Sequence, residues 1–243
     1  MNMKQVKMYQ VSTLQALALG YTKSVITVKD LMEQGNTGLG TYEGVDGEMI
    51  VIDGRCYRAK DDGGVEEAEE TMGIPFASVC SMEEARDFEL EYVKNVEGLK
   101  QYLNNLIEEW FGLNSMHMVR IDGFFDLVDA RSETGYFAMH VSLKDMLAET
   151  QKAFQFENVE GSLICVYYPD YMDGINAAGW HFHFISKDRT KGGHVFEVKL
   201  REGHGRMDKI TQIEIQLPTD PGFDTYALKG ASKEEIKSVE QGK

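Results

Sequence analysis

Residues 179–196 read GWHFHFISKDRTKGGHVF, and three of the chain's six histidines fall in the fourteen positions from His181 to His194. The runs GWHFHFIS and HVFEVKL are rich in aromatic and branched residues, and SKDRTKGG between them is turn-like. This is the pattern of a β-hairpin. Side chains two apart on a strand share a face, so His181 and His183 point one way while Trp180, Phe182 and Phe184 point the other. A reversal near Asp188-Arg189 sets His194 opposite His183 on that same face. A bulge at Gly192-Gly193 would shift that pairing.

Working outward, EMIVIDGRCYRA predicts a second hairpin around Asp53-Gly54, a pair that tolerates the positive φ of a type I′ turn. MHMVRIDGFFDLVDAR predicts another around Asp122-Gly123, and GSLICVYYP and KITQIEIQLP read as strands. Helices are few. ITVKDLMEQGNTG reads as a short one with Thr27 as N-cap and Gly35 at its end. Val96, Leu99, Leu103, Leu106, Ile107 and Trp110 recur at helical spacing in VEGLKQYLNNLIEEWF and give one buried stripe. Ser142 with Asp145 resembles a capping box opening a helix through about Phe154, and Ser232 with Glu235 opens a short terminal one. The class is therefore α+β with mostly antiparallel and mixed sheet. A division near residue 115 leaves an Asp-Gly hairpin and at least one helix on each side, which suggests two related β-rich halves, 1–115 and 116–243.

With 25 basic against 40 acidic residues the net charge is −15. Such a surface repels phosphate backbones and anionic lipid, so neither nucleic acid nor membrane is an expected partner. An anionic substrate would need a local cation. MNMKQVKMYQVSTLQALALGYTK lacks the order of a signal peptide, and no run approaches the roughly 20 apolar residues of a membrane span. Cys56, Cys80 and Cys165 are few, odd in number and without a C-x-x-C spacing. They predict buried thiols in a reducing cytoplasm, not a disulfide framework.

Three imidazoles on one face of a hairpin suit a Zn²⁺ ion with positions left for water or substrate. Manganese, iron or nickel suits the same ligand set, and ordinary strand histidines are the alternative without a metal. His117, in an expected strand, His140, and His204, in an expected Gly-flanked turn, have no such company and read as structural.

The histidine segment GWHFHFISKDRTKGGHV resembles that of the alpha-acetolactate decarboxylase family in its spacing and its glycines. GNTGLGTYEGVDGEMIVIDGRCYRA is similar to that family's N-terminal signature, a G-x-G-T followed by D-G-E. The two occur in order, and the resemblance runs from about Tyr9 to the C-terminus. It implies a zinc enzyme converting 2-acetolactate to acetoin and CO₂, two β-rich halves with the metal between them, and a homodimer. Carried over, the metal ligands fall on His181, His183 and His194, the acid of D-G-E on Glu48, the catalytic arginine on Arg131 and a second glutamate on Glu240. After Arg131 the family usually continues with Val-Pro and Gln, whereas here the run is SETGYFAMHVSLKD.

Loss of CO₂ from such a substrate leaves negative charge on the neighbouring carbonyl oxygen, which a Lewis-acidic cation stabilises. Arg131 would hold the substrate carboxylate; without the resemblance it reads as a strand arginine paired with Asp129 or Glu133. A carboxylate beside a dication stays ionised, which suits Glu48 as base. Thr41, which ends GLGT, is a candidate hydrogen-bond partner of substrate and equally a β-branched strand residue. The competing enzyme reading is a cupin-type metal oxygenase or isomerase with Asp188 near the acidic ligand position. A reading from another class is a non-catalytic small-molecule-binding or DNA-associated protein, whose DNA version the −15 charge opposes.

Overall fold

The computed structural model describes residues 6–225 apart from Glu84 and Met139. The chain opens with β1 (Val6–Val11) and α1 (Leu14–Ala18), then β2 (Ile26–Thr27) and α2 (Val28–Met32). Next come β3 (Thr37–Thr41), β4 (Glu48–Ile52), β5 (Arg55–Ala59), β6 (Val65–Glu67), β7 (Gly73–Ile74) and β8 (Phe76–Cys80). β9 (Arg86–Val93) leads into α3 (Val96–Trp110) and the long β10 (Met116–Glu133). α4 (Leu143–Thr150), β11 (Gln151–Tyr168), β12 (Gly179–Ser186), β13 (Gly192–Gln216) and α5 (Pro221–Asp224) complete it. The fold is α+β and dominated by strand.

Among the described residues one 11-stranded sheet runs in the order β10-β11-β12-β13-β1-β8-β3-β4-β5-β6, with β9 on β13. β10 also pairs with β13, so β10, β11, β12 and β13 close a ring. Only β1 with β13 is parallel within this sheet. α3 lays Leu99, Leu103 and Ile107 on one side of the ring, against Val119, Ile121, Phe182, Phe184 and Val198. On the other side Leu39, Ile50 and Ile52 pack with Ile164, Val166 and Ile185, which seats β4 against β11 and β12. α1 and α4 share a third cluster in which Leu14, Leu17, Leu143 and Met146 meet Val45 and Phe76.

Several local expectations hold. Asp53 and Gly54 turn β4 into β5 with φ of 53° and 72°. Thr27 caps α2, with Asp30 completing a capping box. The three cysteines are free and buried.

Four expectations are corrected by long-range pairing. β10 runs straight through Asp122-Gly123 with no turn, because it has ladder partners on both sides; Gly123 faces Gly161 on β11 and Gly203 on β13. Its role is close approach, since a Cβ there would stand 2.4 Å from the Glu202 carbonyl oxygen. α4 stops at Thr150, where Gln151 turns extended and joins the ladder opposite Glu133. HVFEVKL and KITQIEIQLP belong to one strand, β13, held successively by β12, β10, β9 and β1. His204 thus lies mid-strand, between Asp122 of β10 and Glu89 of β9, and its ring bonds Asp87 and Glu89 on the surface.

Candidate active site

The predicted hairpin forms in the predicted register: His183 pairs with His194, Phe184 with Gly193 and Ile185 with Gly192. Arg131 of β10 pairs with His194 on its other side. Arg131, His194 and His183 therefore stand in one row across three adjacent strands, and His181 joins them by strand alternation.

All three imidazoles are buried, and their nitrogens converge. His181 Nε2 lies 3.1 Å from His183 Nε2 and 3.0 Å from His194 Nδ1. Nitrogens held about 2.0–2.1 Å from one ion at angles of about 95–110° sit about 3.0–3.4 Å apart, which matches. His183 Nδ1 donates to the Met49 carbonyl oxygen at 2.7 Å, fixing ring and tautomer so that Nε2 carries the lone pair. That nitrogen also faces Glu48 Oε2 at 3.2 Å. Two acceptors confront each other there, and a shared cation relieves the repulsion of all these lone pairs at once. Burial, and after it Arg131, pushes His181 down to about 3; burial likewise holds His183 well below the ordinary histidine range. Neutral imidazoles are what a metal requires. Among the described residues this group could hold a metal ion.

Glu48 opens β4, and its backbone N–H donates to Ser132 Oγ at 3.2 Å. Ser132 Oγ in turn donates to the Ala59 carbonyl oxygen at 2.7 Å, tying β4, β5 and β10 together below the site. Glu48 Oε1 stands 3.8 Å from His194 Nδ1. Arg131, 9% exposed, brings Nη2 to 3.4 Å from His194 Nε2.

These groups line a cleft of about 420 Å³ of empty space, its open mouth included. Its polar wall carries Thr41, Glu48, Arg131, Glu133, His181 and His194, and its apolar wall is Leu17, Val45, Phe76, Leu143 and Leu147. Thr41 is buried at the edge and its hydroxyl donates to the Gly47 carbonyl oxygen at 2.9 Å. The arrangement combines a cation site, one fixed positive side chain and carboxylates beside a surface for small alkyl groups.

A model of the alpha-acetolactate decarboxylase family matches residues 8–230. The chain belongs to that family. It is 35% identical over 235 residues to the alpha-acetolactate decarboxylase of Methanosarcina mazei, covering 96% of this chain and 80% of that protein. The enzyme of Brevibacillus brevis is 31% identical over 233 residues, with the same coverage of each. The crystal structure of alpha-acetolactate decarboxylase from Bacillus subtilis strain 168 superposes with a TM-score of 0.91 at 27% identity, over 96% of this chain and 99% of that one.

The family member thus brings together Thr41, Glu48, Arg131, His181, His183 and His194; Glu240 lies outside the described residues. Asp188 does not join the site: its Oδ1 accepts from Ser186 and Thr190 and stabilises the hairpin turn, which removes the acidic ligand of the cupin reading. His117 is buried beside Phe111 and Tyr167, a structural ring. Sequence reasoning missed Glu133 and Gln151 in the cleft lining and the leucines of α1 and α4. Strand alternation from Arg131 was the available signal for Glu133; for the leucines there was none.

Proposed function

We propose that this chain decarboxylates 2-acetolactate to acetoin and CO₂, with Zn²⁺ held by His181, His183 and His194. The observation that carries the reading is the convergence of three neutral imidazoles, one arginine and Glu48 on a small half-apolar cleft, in a chain of this family. A bound Zn²⁺ supplies Lewis-acid stabilisation of the charge that develops on the keto oxygen.

The chain's own residues do the rest. Arg131 stays protonated and binds the substrate carboxylate, the local cation that a protein of charge −15 otherwise lacks. Glu48 Oε2 sits 3.2 Å from the ligand nitrogen of His183, beside the place of the metal, and takes the substrate hydroxyl proton. Thr41 spends its hydroxyl proton on Gly47 and keeps its lone pairs for a substrate donor. Leu17, Val45, Phe76, Leu143 and Leu147 take the methyl groups and exclude water. Glu240 is assigned the return of a proton to carbon on the family pattern alone. The same reading has halves 1–115 and 116–243 meeting at the metal, a homodimer, and a place in the cytoplasm. No helix among the described residues is long and apolar enough to cross a membrane.

The test offers 2-acetolactate to the purified protein and measures acetoin colorimetrically, with and without a strong chelator. Acetoin that disappears on chelation and returns with Zn²⁺ is expected. A fully metal-loaded protein that forms none would overturn the proposal.

A further inference from the structure

The cleft draws its groups from two parts of the sheet. The imidazoles and Arg131 stand on the ring strands β12, β13 and β10, whereas Glu48 opens β4, whose ladder partners there are Thr41 on β3 and Ala59 on β5. In the sheet order β1, β8 and β3 lie between β13 and β4. The ladder of β4 therefore leaves open how the Glu48 carboxylate stands against the histidines. Ile50 and Ile52 seat β4 on the ring further along. At its first two residues, two hydrogen bonds reach across from the ring. His183 Nδ1 donates to the Met49 carbonyl oxygen at 2.7 Å. The Glu48 N–H donates to Ser132 Oγ at 3.2 Å, and the same hydroxyl donates to the Ala59 carbonyl oxygen at 2.7 Å. Ser132 is fully buried and follows Arg131 on β10. The first bond alone would let the start of β4 pivot about the Met49 carbonyl; the second removes that freedom.

Resting on the decarboxylase reading, we propose that Ser132 is a positioning residue of the reaction, whose hydroxyl holds the backbone of Glu48 where its carboxylate meets the substrate. That carboxylate stands with Oε2 3.2 Å from His183 Nε2 and Oε1 3.8 Å from His194 Nδ1. A hydroxyl suits the place because it accepts from one backbone group and donates to another. It thus pairs the Glu48 amide and the Ala59 carbonyl while tying both to β10. Alanine there takes this partner from both groups and frees the start of β4 to shift. Proton transfer is sensitive to such shifts, since a misplacement of about 1 Å costs on the order of 10²-fold in rate. The imidazoles and Arg131 make no use of the hydroxyl, so binding of metal and of the substrate carboxylate is left in place. Ser132 acts through Glu48.

The experiment measures kcat and KM for 2-acetolactate, metal Kd and melting temperature in wild type, Ser132→Ala, Ser132→Thr and Ser132→Cys, each also combined with Glu48→Gln. Ser132→Ala should lower kcat about ten- to a hundredfold, with KM and metal Kd changed only a few-fold. Ser132→Thr keeps the hydroxyl and should restore most of the loss. Beside Glu48→Gln the alanine change should cost almost nothing further, because its effect runs through that carboxylate. Ser132→Cys, a weak donor and acceptor, should fall between serine and alanine, and it carries the same cycle if the alanine variant fails to fold. An unchanged kcat, a loss that threonine does not restore, or a cost that persists in full beside Glu48→Gln would overturn the inference. A fall in kcat matched by lost metal affinity would overturn it too, marking Ser132 as purely structural. If metal-loaded wild type made no acetoin, the decarboxylase reading itself would fall and take this inference with it.

Discussion

Replacing His183 with alanine removes one of three ligands and leaves His181 Nε2 and His194 Nδ1, 3.0 Å apart, as the remaining pair. Metal binding at four-ligand zinc sites releases about 10–16 kcal/mol, so one ligand accounts for about 3–4 kcal/mol. At 1.4 kcal/mol per factor of ten, the metal Kd of His183→Ala should rise by about 10²–10³-fold. The fold should lose stability as well, because the buried Met49 carbonyl loses the partner that His183 Nδ1 provides at 2.7 Å, a cost of about 1–3 kcal/mol. Competition against a chromogenic chelator measures the first effect, and urea unfolding of the metal-free proteins measures the second. The two readouts separate a lost ligand from a merely loosened fold. A variant that kept the wild-type metal affinity, with acetoin formation intact, would refute the assignment of these imidazoles as the metal site.

Other perturbations probe the same architecture. Glu48→Gln should lower kcat by about 10²–10⁴-fold with little change in KM, as expected for a lost proton-transfer group; steady-state kinetics showing mainly a raised KM would make Glu48 a binding residue. Gly123→Ala should destabilise the protein by more than about 2 kcal/mol in urea, because its methyl would stand 2.4 Å from the Glu202 carbonyl oxygen within a ladder closed on both sides. His117 bears on acid stability. Burial, and after it Lys209, pushes His117 down to about 4, so the folded state refuses a proton that the unfolded chain accepts from about pH 6.5 downward. Its contribution is intact above that range and is lost as pH falls from about 6.5 to 4, on the order of 3 kcal/mol in all. His117→Phe should flatten that part of the acid limb in urea titrations at successive pH values, and an unchanged slope would contradict it.

The sequence by itself determined what is local. Alternation and turn chemistry over eighteen residues set the phasing of His181, His183 and His194, and the pairing of His183 with His194 follows from it. The Asp53-Gly54 turn and the Thr27 cap were legible for the same reason: the interacting groups lie within a few residues of each other. Glu48 and Arg131 were legible only through family resemblance, since nothing in their immediate neighbours distinguishes them from surface strand residues. The tertiary structure decided the rest. Asp122-Gly123 has the local signature of a turn, yet strands from two distant segments bind both its edges and hold it extended. β13 draws its 25 residues from segments that look separate in sequence, because four different strands take turns pairing with it. The cleft likewise joins β4, β10, β12 and β13 with leucines from α1 and α4, and it places Glu133 beside Arg131. Short-range preferences are worth only tenths of a kcal/mol to about one each, whereas a completed ladder and a buried face sum over many residues; where the two compete, partners distant in the chain prevail.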